Sequence, residues 1–208
     1  MYIFRRTSTV HQAHIQPAME FAVAIAAKVT QITGRDISVY STLFGAPVGT
    51  LHWTTRVDSM ADLGDLTAKL AADPGYGEMT TKASSLFAGL PEDALVNIVS
   101  SSAMTPTTRN FYSSTVAVPA NGKIAEAVAF GVKTQTRLAT TGLTTAFGTS
   151  VFGAYGGVGW LVGADTLAEL DTLQHFMTTD AEFGTMVAEA GSLFIEGSGV
   201  NSLIQKLN

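Results

Sequence analysis

The sequence predicts an α+β fold built from two copies of one β-α-β-β-α-β unit, and three observations carry that prediction. The segment from Asp58 to Phe87 is written twice. Displaced by 107 residues, Asp58, Ala61, Leu63, Leu66, Asp73, Gly77, Met79, Ala83, Ser85, Leu86 and Phe87 meet identical residues at Asp165, Ala168, Leu170, Leu173, Asp180, Gly184, Met186, Ala190, Ser192, Leu193 and Phe194. Average residue usage gives about two chance identities over such a segment. Apolar spacing also switches between alternation and a helical period in the same order in both halves. Helix starts and Gly-rich turns recur at matching places.

Tyr2 to Val10 reads as a strand, with β-branched and aromatic residues and no Gly or Pro. Pro17 suits the first turn of a helix, and Ala18, Phe21, Ala22, Ile25, Val29 and Ile32 keep the helical period up to Gly34, a C-terminal stop. Ile37 to Phe44 and Thr50 to Val57 read as strands joined by Gly45-Ala46-Pro47-Val48-Gly49. Ser59 and Asp62 have capping-box spacing, and Met60, Leu63, Leu66 and Leu70 form the expected buried face of the helix that follows. Asp73 and Pro74 restart a helix that is expected to reach about Phe87, and Ala94 to Ser100 is the fourth strand.

The second half repeats this order. Asn110 to Val118 is a strand, with Ser114-Thr115-Val116 matching Ser8-Thr9-Val10, and Lys123 to Thr141 is a helix stopped by Gly142. Leu143 to Phe152 and Val158 to Ala164 are strands around the turn Gly153-Ala154-Tyr155-Gly156-Gly157. Thr166 and Glu169 repeat the capping box, Leu167, Leu170, Leu173 and Met177 are expected to be buried, Asp180 restarts the helix, and Val200 to Lys206 closes the unit. Each half has the ferredoxin-like order, about 1–103 and 109–208, with Ala103 to Thr108 as linker around Pro106.

Composition narrows the function classes. Hydrophobic residues make up 46% of the 208 and charged ones 14%, enough for a sizeable core. The net charge is −5 with the basic residues scattered, so no basic stripe predicts nucleic-acid binding. Cysteine is absent, which excludes disulfides, thiolate catalysis and Cys-ligated metal and matches a reducing cytoplasm. The run from Phe21 to Ala27 is far shorter than the ~20 residues a membrane span needs. The expectation is a soluble, cytoplasmic protein with neither a nucleic-acid nor a membrane partner.

The order of elements, with a Trp on the third strand of each half (Trp53 and Trp160) and the Asp73-Pro74-Gly75-Tyr76 step in a second helix, resembles the dimeric α+β barrel superfamily. That superfamily includes antibiotic-biosynthesis monooxygenases, NIPSNAP-like proteins, heme-degrading monooxygenases and, in duplicated form, chlorite dismutases. The resemblance spans nearly the whole chain and implies two facing sheets, an intrachain pseudo-dimer with a central β-barrel. It also implies a ligand in a cleft between a sheet and its helices.

Candidate site residues come from comparing the third strands, whose residues alternate between faces. Leu51, Trp53, Thr55 and Val57 match Val158, Trp160, Val162 and Ala164, and this shared face reads as core. The other face carries His52, Thr54 and Arg56 in one half but Gly159, Leu161 and Gly163 in the other. A single site, polar on one side and roomier on the other, would produce that difference. His52 is then the candidate general base, Arg56 the group that holds a developing oxyanion, and Tyr40, opposite Gly148 in the repeat, a hydrogen-bond donor. Trp53, Trp160, Gly157 and Gly159 are candidate ligand-binding residues. Arg5 and Arg6 align with Phe111 and Tyr112 and are expected at an exposed strand edge. His11 and His14 have no third ligand nearby, so no metal site is expected.

The expected function is binding or transformation of a small, mainly apolar organic molecule, as a cofactor-independent monooxygenase or cyclase. The alternative is a non-catalytic ligand carrier or assembly protein, with further homo-oligomerisation left open. A second alternative is heme binding or degradation, for which the resemblance nominates Asn110, Trp160 and His175.

Overall fold

The computed structural model describes residues 1–103 and 108–208, so the centre of the expected linker, at 104–107, lies outside the described residues. The elements are β1 (Tyr2–Thr9), α1 (Ile15–Thr33), β2 (Ser38–Phe44), β3 (Thr50–Val57), α2 (Met60–Ala71), α3 (Pro74–Ala83), β4 (Glu92–Ser101), β5 (Phe111–Ala117), α4 (Ile124–Ala139), β6 (Thr144–Phe152), β7 (Val158–Ala164), α5 (Leu167–Thr179), α6 (Ala181–Glu189) and β8 (Val200–Lys206). The hydrogen-bonded strand order β1-β3-β2-β8-β5-β7-β6-β4 closes as a barrel, giving the α+β fold that the duplicated order predicts. The described residues divide into two compact units, 1–96 with 205–208 and 97–204. Among them, no helix is long and apolar enough to cross a membrane.

In the first unit, α1 meets the sheet through a row of alanines, Ala18, Ala22 and Ala26, at i, i+4 and i+8 and at most 1% exposed. Short side chains let the helix sit close to Val39 and Leu51, both fully buried. Gly34 then ends the helix at φ 72°, a left-handed conformation that glycine adopts at little cost. The Trp53 indole N–H donates to the Ala22 carbonyl at 3.0 Å, and its ring packs edge-on against Phe87, which also meets Phe21. Asp73 caps α3 by accepting from the Tyr76 N–H and also accepts from the Lys28 ammonium of α1. One carboxylate thus starts one helix and ties it to another.

The second unit repeats these contacts with different residues. Trp160 donates to the Gly131 carbonyl of α4 at 3.1 Å, and its ring packs against Phe130 and Phe194. Asp180 caps α6 through the Phe183 N–H and accepts from the Arg137 guanidinium. One layer is repacked. Where the first unit has Val39 beneath Ala22, the second has Phe147, fully buried, beneath Gly131. A Cβ at Gly131 would lie 2.1 Å from the Phe147 ring, so the larger side chain requires the missing one.

Three expectations are corrected. Met60 and Leu167 are 43% and 51% exposed, because each is the first residue of its helix and precedes the turn that meets the sheet; Leu66, Leu170 and Leu173 carry the buried face. Helix α3 stops at Ala83, short of Phe87, because Phe87 is extended and forms a β-bridge with Val10. The third correction concerns β1. Arg6 lies opposite Trp53 and Thr115 opposite Trp160, so Arg5 and Arg6 correspond to Ser114 and Thr115 rather than to Phe111 and Tyr112. The Ser-Thr-Val match misplaces the register by three residues, and an odd slip exchanges the two faces of a strand. Nor is β1 an edge: it lies between β3 and β4, and Arg6 makes a bidentate pair with Asp93 at 2.8 and 2.7 Å.

Candidate functional site

The site is built on the face of β1, β2 and β3 that points away from α1. Across these ladders Thr7 and Tyr40 flank His52, Arg5 and Ser38 flank Thr54, and Ile3 lies opposite Arg56. Directly opposed residues project to the same side of a sheet. The register therefore gathers Arg5, Thr7, Tyr40, Thr42, His52 and Arg56 on one face of one unit. All are buried or half-buried, with Tyr40 at 4% and Thr42 at 8% exposed.

His52 is held at both ring nitrogens. Nδ1 lies 3.1 Å from the Thr7 hydroxyl and Nε2 lies 2.8 Å from the Thr42 hydroxyl. A neutral imidazole donates from one nitrogen and accepts at the other, and a hydroxyl can complete either bond. Burial, and then the neighbouring Arg5 charge, lower the His52 pKa to about 4. A base working at neutral pH is best served by a pKa near 7. At that pH the ring is an uncharged hydrogen-bonding group.

Arg5 stands on the same face. Its pKa is lowered by burial, with the Glu92 carboxylate acting in the opposite direction. Its Nε–H is buried, and no group among the described residues accepts from it. Arg6, Arg35, Arg109 and Arg137 each pair with an aspartate. Arg5 and Thr7 are the site residues that sequence reasoning missed. Alternation along β1, read from Trp53 rather than from the Ser-Thr-Val match, would have found them.

The other nominated residues separate into groups. Tyr40 and Arg56 share the His52 face, and both interact with neighbouring groups. Trp53 lies on the opposite face of its sheet from His52, in the helix-packed core, and Trp160 takes the equivalent place in the second unit. The glycines in β7 and in the turn before it meet neighbouring groups. Gly157 closes the hairpin through its N–H to the Ala154 carbonyl, Gly159 adjoins Val116, and the space over Gly163 is filled by Arg109 and Tyr112. A shallow apolar groove runs along α1 past Met19, Val23 and Leu207.

The residues nominated for heme do not form a site. Trp160 is buried among Phe130, Phe147 and Phe194, His175 is exposed on α5, and Asn110 is exposed with its amide donating to the Asp165 carbonyl. The exposed rings of His11 and His14 lie edge to face, 6.5 Å apart. Among the described residues, no group of three or more His, Asp or Glu is placed to hold a metal ion.

No protein-family profile matches the chain. No curated protein matches it in sequence either. Solved structures do match. A monooxygenase-assigned protein of Fusobacterium nucleatum superposes with a TM-score of 0.73 at 7% identity, covering 100% of this chain and 92% of the other. A monooxygenase-assigned protein of Lactobacillus acidophilus gives 0.65 at 10% identity, covering 100% and 94%. An anthrone oxidase-like protein gives 0.69 at 12% identity, covering 100% and 91%. Identities this low speak for the fold and not for a shared reaction. The chain shares its fold with these proteins, an α+β barrel with both β-α-β-β-α-β halves in one polypeptide.

Proposed function

We propose that this chain binds a small, mainly apolar organic molecule against the β1–β2–β3 face of its first unit, and that it acts on it as a cofactor-independent monooxygenase or cyclase. One observation carries the location. Within a duplicated chain, the faces turned toward the helices repeat their contacts, whereas the opposite face has polar groups in one unit and Gly159, Leu161 and Gly163 in the other. Tyr40 and Arg56 supply hydrogen bonds that orient a polar edge of the ligand, the neutral His52 fixes the Thr7 and Thr42 hydroxyls beside it, and exclusion of water strengthens these contacts. The fold shared with monooxygenase-assigned and anthrone oxidase-like proteins supports the reaction class. Anthrone is a suitable first probe, because its CH2 group supplies every electron needed to reduce O2 as the ring is oxidised to the quinone and water.

The test combines native mass spectrometry of the purified protein, an absorption spectrum of the same sample, and O2 uptake with anthrone. The expected result is an organic mass that leaves on denaturation, no Soret band, and O2 uptake that falls at least tenfold in Tyr40→Phe and His52→Gln. An empty protein that consumes no O2 would remove this reading in favour of an assembly role.

A further inference from the structure

The reading above leaves the charge of the ligand open, and the buried Arg5 addresses it. We infer that the β1–β2–β3 face selects a delocalised organic oxyanion, a carboxylate or a phenolate on an apolar body, with the Arg5 Nε–H as its principal donor. This rests on the proposed function and narrows it.

The argument is one of electrostatic satisfaction. A buried donor without an acceptor is destabilising, and more so when it is charged. Arg6 shows how this chain satisfies an arginine when only structure is required, since both its Nε and an Nη donate to one aspartate. Arg5, the next residue along β1, has a buried Nε–H with no acceptor among the described residues. The groups that share its face are unsuited to neutralising it. Thr7, Thr42 and His52 are uncharged and already bonded to one another, and Arg56 adds a second positive charge. Glu92 on β4 favours the guanidinium without outweighing its desolvation. A planar oxyanion accepts from a guanidinium in the plane of its fork, a geometry that a neutral carbonyl matches less well. A bound oxyanion would also sit beside His52, offset the repulsion from Arg5 and favour protonation of the ring.

The experiment is isothermal titration calorimetry at pH 7.5 with 1-naphthoate, 2,4-dinitro-1-naphtholate and the uncharged 1-naphthamide. The wild-type protein is compared with Arg5→Gln and Arg5→Lys. In parallel, the His52 ring nitrogens are followed by NMR as the pH is lowered. The expected result is that one or both anions bind at least tenfold more tightly than the amide, and the stronger of the two separates a carboxylate from a phenolate preference. Arg5→Gln removes the preference and Arg5→Lys keeps part of it, and the bound anion raises the His52 titration midpoint. Equal binding of anions and amide by the wild-type protein, with no change in His52, would overturn the inference while leaving an apolar site standing. Binding by none of the probes would overturn both. The wild-type comparison needs no folded variant.

Discussion

Replacing Gly131 with alanine would place a methyl carbon 2.1 Å from two carbons of the Phe147 ring. Non-bonded carbons settle at about 3.5–4.0 Å, so the ring must retreat by roughly 1.5 Å from a position with no free surface. Overpacking of a core costs about 1–3 kcal/mol, and a displacement this large belongs at the upper end. Alanine returns about 1 kcal/mol of helix propensity, which leaves a net loss of about 2 kcal/mol. Phe147→Val alone removes most of a buried ring and should cost about 2–3 kcal/mol. The double variant recreates the Val39 and Ala22 pair of the first unit, and the new methyl occupies part of the space the ring vacates. Its expected cost is about 1 kcal/mol instead of the additive ~4–5, a coupling of about 3 kcal/mol, as expected for residues in direct contact. Urea melts at fixed m value measure each step through the midpoint. Strictly additive losses, or a Gly131→Ala protein more stable than the parent, would refute the claim that this glycine exists to admit the ring.

Two further predictions bear on the candidate site and its surroundings. The unfolded chain protonates its histidines near pH 6.5, whereas folded His52 protonates only at about 4, so its contribution to stability is intact above pH 6.5 and is lost as the pH falls toward 4. At ~1.4 kcal/mol per pH unit the loss approaches 3 kcal/mol, and His52→Gln should flatten that stretch of the stability-pH curve; an unchanged slope would contradict the assignment. The carboxylates of Asp62, Asp73 and Asp180, held below the usual range chiefly by hydrogen bonds, give way at lower pH and lie outside that window. Trp53→Phe and Trp160→Phe should each cost about 1–2 kcal/mol in urea melts and leave ligand binding intact, because each loses a hydrogen bond to a helix carbonyl and some packing. Loss of binding in Trp53→Phe at unchanged stability would restore that ring to the ligand site.

Much of the fold was legible because its determinants are local or repeated. Capping at Ser59, Asp73, Thr166 and Asp180, the stop at Gly34 and the strands ending at Val57 and Ala164 follow from short-range chemistry. The misreadings arose where tertiary pairing decides. The β-bridge of Phe87 to Val10 overrides a helical pattern, and the register of β1 is set by what lies opposite Trp53, not by the short Ser-Thr-Val echo. The site was half visible for the same reason. His52, Tyr40 and Arg56 stood out because they break the repeat in strands whose alignment is secure. Arg5 and Thr7 stayed hidden because their strand was aligned three residues out of step. The two Trp residues drew attention for their size, yet their N–H groups are aimed at the helix carbonyls of Ala22 and Gly131.

The duplication itself distinguishes framework from site. A constraint imposed by folding applies equally to both copies, so it should leave the same contact in each even when the residues change. The helix-facing layer behaves this way. Lys28 with Asp73 recurs as Arg137 with Asp180, the Phe21, Trp53 and Phe87 cluster recurs as Phe130, Trp160 and Phe194, and Val39 over Ala22 recurs as Phe147 over Gly131 with volume exchanged between partners. Arg5, Tyr40 and His52 have Ser114, Gly148 and Gly159 at their counterparts, which carry neither the guanidinium nor the ring groups. Folding therefore does not require the polar set, because the second unit forms the same ladders without it. A buried arginine with an unmet N–H is a cost that the first unit carries at this position and Ser114 avoids in the second, and the proposed oxyanion is the partner that would offset it.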